Sequence, residues 1–199
     1  MAGLKLDTEK VTWILLVSAI ILLISSLFMP LVLVFIIQDY LYLSSSKWFY
    51  EAPASAYVVF MIGIQWIALM IMLHIFIQWR FDFKMFKWIT MLLMTLSIPC
   101  FMFAISNYYY LDDNGIHFNE LDTFNTITSY QWADFKEARE VYSKSNGVTG
   151  LDHFELITTD GEVIELKTSQ KMTGAKHRML EKLNENGVSV TNNLGDLYE

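Results

Sequence analysis

Residues 105–120 read ISNYYYLDDNGIHFNE, and the stretch changes character halfway along. It opens as the last turn of a hydrophobic run and closes as two short β-prone segments around Asn114-Gly115. Asn-Gly is the dipeptide of a two-residue type I′ turn, whose central residues both take positive φ. The chain thus leaves a lipid-compatible helix and enters a sheet with almost no linker. That predicts an α+β membrane protein of two parts.

Composition agrees. The chain is 54% hydrophobic and 18% charged, too apolar for an ordinary soluble domain and too charged to lie wholly in lipid. Residues 1–107 hold six Lys/Arg and five Asp/Glu, a net of +1, whereas residues 108–199 hold eight and sixteen, a net of −8. An acidic second half argues against nucleic acid as a partner and against electrostatic docking on anionic lipid, both of which need a basic face. Cys100 is the only cysteine, so neither an internal disulfide nor a cysteine metal site is available. It reads as a small buried hydrophobe.

Three runs predict three transmembrane helices, at about 11–37, 57–79 and 88–107, after a tail at 1–10. The first has 27 positions without a charge, more than the roughly 20 that a span requires. Pro30 should kink it, since proline removes a backbone donor. Trp13, Trp48, Tyr50, Tyr57, Trp79, Trp88 and Tyr108 fall near the run ends, where amphipathic rings suit the headgroup level. Lys5, Lys10, Arg80, Lys84 and Lys87 flank one side of this arrangement and Lys47 the other. Basic residues favour the cytoplasm, which predicts a multi-pass cell-membrane protein with its N-terminus inside and its C-terminal domain outside.

Within the second span, Ala56, Gly63, Met70 and His74 fall on one stripe, with Gln78 one turn beyond. Small and hydrogen-bonding groups are what helices use to associate in lipid, so the stripe is a candidate contact between helices or between copies of the chain. His74 is either a proton relay or ligand of a transported ion, or a neutral imidazole bonded to a neighbouring helix through Ser97 or Thr95. No Asp, Glu, Lys or Arg lies within a span to partner it, which favours packing.

Residues 108–187 read as strands followed by one helix, with 188–199 as a tail. The run FELITTDGEVIEL predicts a hairpin about Asp160-Gly161, with Phe154, Leu156, Ile164 and Leu166 on one face. KEAREVYSKS is ambiguous but alternates as a strand does. In the helix, Met172, Ala175, Met179, Leu180 and Leu183 share one side, and Gly187 follows as a stop. His153 lies beside Asp152 and Glu155, but strand alternation should leave only Glu155 on its side. No catalytic, phosphate-binding or metal-ligand motif is present; the sequence predicts neither an enzyme nor a cofactor.

YYYLDDNGIHF, then ITSYQWADFKEAREV, then FELITTDGEVIEL and a terminal helix together resemble the bacterial pleckstrin-homology-like domains of small membrane proteins. The likeness rests on the hairpin at Gly115-Ile116, the W-x-x-F turn of Trp132 and Phe135, and the Asp160-Gly161 hairpin. It implies an antiparallel β-barrel or sandwich closed by a C-terminal helix, acting as a binding or assembly module. Some membrane-anchored relatives act in bacteriocin self-immunity. Phosphoinositide-binding relatives clamp phosphates with Lys/Arg around the first hairpin, whereas this hairpin carries Asp112 and Asp113, which repel phosphate. The expectation is a non-enzymatic membrane protein presenting an acidic PH-like domain to a protein or peptide partner. Its alternatives are a toxin self-immunity protein and an accessory subunit of a transporter or channel.

Overall fold

The computed structural model describes residues 8–42, 46–81, 85–123, 126–145 and 147–197; Lys5 and Lys84 of the charge count lie outside them. The chain is α+β and divides into two compact units. One comprises 1–43, 52–108 and 119–126, the other 44–51, 109–118 and 127–199.

The helical unit holds α1 (Thr8–Ser25), α2 (Met29–Tyr42), α3 (Ala54–Arg80), α4 (Phe86–Met94) and α5 (Ser97–Ser106). Residues 54–80, and 86–106 taken together, are long and apolar enough to cross a membrane. The first run differs from expectation. It is not one kinked helix but two, bent by 74° at a break over 26–28, and it makes a third crossing only if the pair forms one span. Pro30 does not kink a helix interior; it sits in the first turn of α2, where its missing N–H leaves no bond unmade. Val34, Ala56, Phe60, Ile64 and Ala104 form the buried cluster of this unit.

The second unit is built from β1 (Phe49–Glu51), β2 (Tyr108–Leu111), β3 (Gly115–Asn119), β4 (Ile127–Gln131), β5 (Phe135–Ser145), β6 (Val148–Thr158), β7 (Val163–Lys167), α6 (Gln170–Glu185) and β8 (Ser189–Asn192). They make two four-stranded sheets, ordered β1-β2-β3-β4 and β7-β6-β5-β8. No closed barrel is found among the described residues. One core joins both sheets to α6: Leu111, Ile116, Trp132, Phe135, Phe154, Leu156 and Leu166 meet Met172, Met179 and Leu183. The predicted β6–β7 face holds. Phe154 pairs with Leu166 and Leu156 with Ile164, and Gly161 turns the hairpin at φ +87°.

α6 starts where Ser169 accepts a hydrogen bond from the Met172 N–H, and it ends before Gly187 at φ +75°. Two elements were not foreseen. β1 comes from the connection between α2 and α3 and pairs Phe49 with Leu111 and Glu51 with Tyr109. β8 takes four residues of the expected tail into a parallel pairing with β5.

The first hairpin also departs from expectation. Its connection is Asp112–Asn114, and Gly115 is not among the positive-φ glycines, so no type I′ turn forms. Glycine is needed there for another reason. A Cβ on Gly115 would overlap the backbone carbonyl oxygen of Tyr130, and only glycine permits so close an approach.

Candidate functional site

In the helical unit, polar side chains sit where helices break or end. Ser25 and Ser26 donate to the carbonyls of Leu22 and Leu23 (3.2 and 2.7 Å) at the first break. From α3, Gln65 Nε2 donates to Ser26 Oγ at 3.4 Å, and Trp66 Nε1 donates to the Leu93 carbonyl at 2.8 Å beside the break between α4 and α5. Adjacent residues of the one long unbroken helix thus serve both breaks. Gln38 does the same for a helix end. Its Nε2 lies 3.0–3.2 Å from the carbonyls of Ala104, Ile105 and Asn107 at the end of α5, where the last carbonyls run short of helical donors; that of Ala104 also accepts from the Asn107 N–H. Asn107 Nδ2 in turn donates to Ser55 Oγ at 2.8 Å. Sequence reasoning passed over Gln38; a lone amide inside an apolar run was the signal available.

The predicted stripe is brought together in part. Ala56, Gly63 and Met70 are buried, His74 is half-buried, and Gln78 is exposed. Gly63 is a seat for Phe101: a Cβ there would lie 2.6 Å from the ring of Phe101, which also packs on Phe60 with centroids 4.7 Å apart. The partner of His74 is Thr90, at 3.3 Å from Nδ1, rather than Ser97 or Thr95. Those two hydroxyls turn back to the carbonyls of Met94 and Leu92. Thr90 spends its own proton on the Phe86 carbonyl at 3.0 Å, so it accepts from His74 and the imidazole carries its proton on Nδ1.

In the second unit, both aspartates of the first hairpin are engaged. Asp112 Oδ1 accepts from the N–H groups of Asn114 and Gly115 (2.8 and 3.0 Å) and from His117 Nε2 at 3.2 Å. Burial works against the charged form, but these donors outweigh it and hold the carboxyl below its usual range. Asp113 pairs with Arg178 at 2.9 Å, and that guanidinium lies over the ring of Trp48.

The face of β5-β6-β7 turned away from the core carries the charges. Arg139 reaches Glu137 and Glu155, both at 3.4 Å. His153 donates to Asp152 at 3.0 Å and lies 3.5 Å from Glu155. Alternation had set Asp152 on the opposite side. The ladder corrects this: Val141 faces His153 while Tyr142 faces Leu151, so Asp152 is the extra residue of a bulge and is re-aimed. Partial burial disfavours the imidazolium, but Asp152, Glu155 and the charge of Glu165 prevail and raise its pKa.

On the core side, Glu140 is 8% exposed. It is matched by Lys176 at 2.8 Å and by the Tyr142 hydroxyl at 2.7 Å. Burial opposes the Lys176 charge, but the bonds to Glu140 and Tyr142 raise its pKa above the ordinary value. Glu51 likewise accepts from Tyr109 and from Ser169 at 2.9 Å each, which ties β1 to the start of α6. His177 is exposed on α6. Among the described residues no group of three or more His, Cys, Asp or Glu is arranged to hold a metal ion. The chain matches no protein-family model, no curated protein and no solved structure.

Proposed function

We propose that this is a non-enzymatic membrane protein whose acidic, PH-like second unit faces outward and binds a protein or peptide partner. The observation that carries the reading is the outer face of β5-β6-β7, where Glu137, Asp152, Glu155 and Glu165 outnumber Arg139 and Lys167. Such a face attracts cationic segments at long range. The charges of the first hairpin are committed locally, Asp112 to its own turn and Asp113 to Arg178, which speaks for a protein ligand over a phosphate.

Orientation depends on the last crossing alone. If residues 86–106 form one span, the connection after Arg80 and the second unit lie on opposite sides, whether or not α1 and α2 make a span of their own. Arg80 and Lys87 flank that connection and favour the cytoplasm for it. The helical unit then serves as anchor, with His74 and Thr90 as packing groups.

The test is co-purification in mild detergent. The native chain should bring down a partner in stable ratio, and Glu137→Lys/Glu155→Lys should lose it while keeping the fold. Repeated purification of the native chain alone would contradict the reading. A self-immunity role is the narrower version: deletion should sensitise the cell to a cationic peptide toxin, and unchanged sensitivity would remove it.

A further inference from the structure

We propose that the edge of β5 is a receptor for an extended peptide segment, and that residues 189–193 of the chain occupy it as a displaceable strand. The proposal deepens the partner-binding reading and rests on it. The core ends at Val188, which is 3% exposed and whose N–H donates to the Leu183 carbonyl at 3.0 Å. All four residues of β8 beyond it are exposed, so the strand adds little buried apolar surface.

What holds β8 is backbone pairing and polar side chains. Ser189, Val190, Thr191 and Asn192 run parallel to Glu137, Ala138, Arg139 and Glu140. Thr191 donates to Glu137 at 2.9 Å. Beyond the strand, Asn193 closes a two-way clasp on the β5 backbone: its Oδ1 accepts from the Tyr142 N–H at 2.7 Å and its Nδ2 donates to the Tyr142 carbonyl at 3.1 Å. The clasp lies just past the last pair of the parallel ladder, Glu140 with Asn192, and takes up the N–H and C=O of Tyr142 on that edge of β5.

These contacts define what the edge recognises. A ligand is an extended segment with small hydroxyl or β-branched side chains at the first three strand positions, an amide at the fourth, and a second amide side chain at the place of Asn193. Main-chain bonds supply affinity and the amide supplies register, as in other cases of strand addition. In the resting chain the tethered tail competes at an effective concentration of about a millimolar, as short linkers give.

The test uses the membrane protein in detergent, ended after Val188, and a fluorescent peptide of residues 188–194, VSVTNNL. The shortened chain should bind this peptide at least about tenfold more tightly than the intact chain, given that competing tail. A peptide with Asn193→Ala should bind about thirtyfold more weakly, the scale of two lost hydrogen bonds. The intact chain carrying Asn193→Ala should fall between the intact and shortened forms. A shortened chain that keeps its near-ultraviolet dichroism yet binds no better than the intact one would overturn the proposal. So would loss of the fold on shortening, since β8 would then be part of the structure and not a removable strand. Because the probe is the chain's own tail, failure here leaves the co-purification result standing.

Discussion

The two units solve opposite problems with polar groups. In the helical unit several polar groups close a broken or ending helix: Ser25, Ser26 and Gln65 at one break, Trp66 at the other, Gln38 at the end of α5. For helices apolar enough to cross a membrane, an unmet carbonyl would be the chief hazard in lipid, and packing uses small residues such as Ala56 and Gly63. In the second unit the hydrophobic core is conventional, and charged groups are organised around it in pairs. Glu140 is met by Lys176 and Tyr142 even on the core side. The same side-chain chemistry therefore reads as backbone repair in one unit and as a charged surface in the other.

The sharpest way to break this comparison is a glycine in each unit. Gly115→Ala forces a Cβ against the Tyr130 backbone, which cannot yield. The second unit should lose about 3 kcal/mol or more, the upper range for a single substitution, as read by its thermal transition in detergent. Gly63→Ala meets only the rim of the Phe101 ring, a side chain that can turn aside, so a loss near 1 kcal/mol is expected. Equal losses would mean that the close approach at Gly115 is not the constraint described.

Next in size is the Glu140–Lys176 pair. Lys176→Met leaves Glu140 without its cation on the core side and should destabilise by about 2 kcal/mol, less than a fully buried pair because Lys176 keeps partial exposure. Adding Glu140→Leu should recover most of that loss. A double variant no more stable than the single would show that the carboxylate is served well enough by Tyr142 alone.

The smallest effect concerns pH. The folded pKa of His153 is raised, so its ionic contacts contribute fully below the unfolded value of about 6.5 and fade as pH rises through the folded pKa. Titration of the imidazole by nuclear magnetic resonance should give a midpoint above that of an isolated histidine. Asp152→Asn should move the midpoint down. An unchanged midpoint would mean that the bulge does not hold Asp152 against His153.

Legibility in the sequence followed the range of the interaction. The β6–β7 hairpin, its buried face and α6 with its Gly187 stop were all readable, because each signal lies within a few residues. β1 was not: three residues are too few for a period, and their partners lie about sixty positions on at Tyr109–Leu111. β8 was missed for the same reason. Pro30 read as a kink within one helix, whereas it stands in the first turn of α2, after the break. The candidate stripe was legible in its small residues and in His74, yet the identity of Thr90 as partner depends on how α4 packs on α3. Gln38 and the re-aimed Asp152 depend on a helix end and a bulge that no local pattern announces.

The account turns on the second unit facing outward, opposite to the connection after Arg80. Asn146 would be a natural loop position for a label but lies outside the described residues; Asp160, exposed in the β6–β7 turn, serves instead. In a Cys100→Ala background, Asp160→Cys and Phe81→Cys would be treated separately in intact cells with a membrane-impermeant thiol reagent. The account predicts labelling at 160 in intact cells, and at 81 only after lysis. Labelling at 81 in intact cells, with 160 protected until lysis, would contradict the account and turn the search for a partner to the cytoplasm.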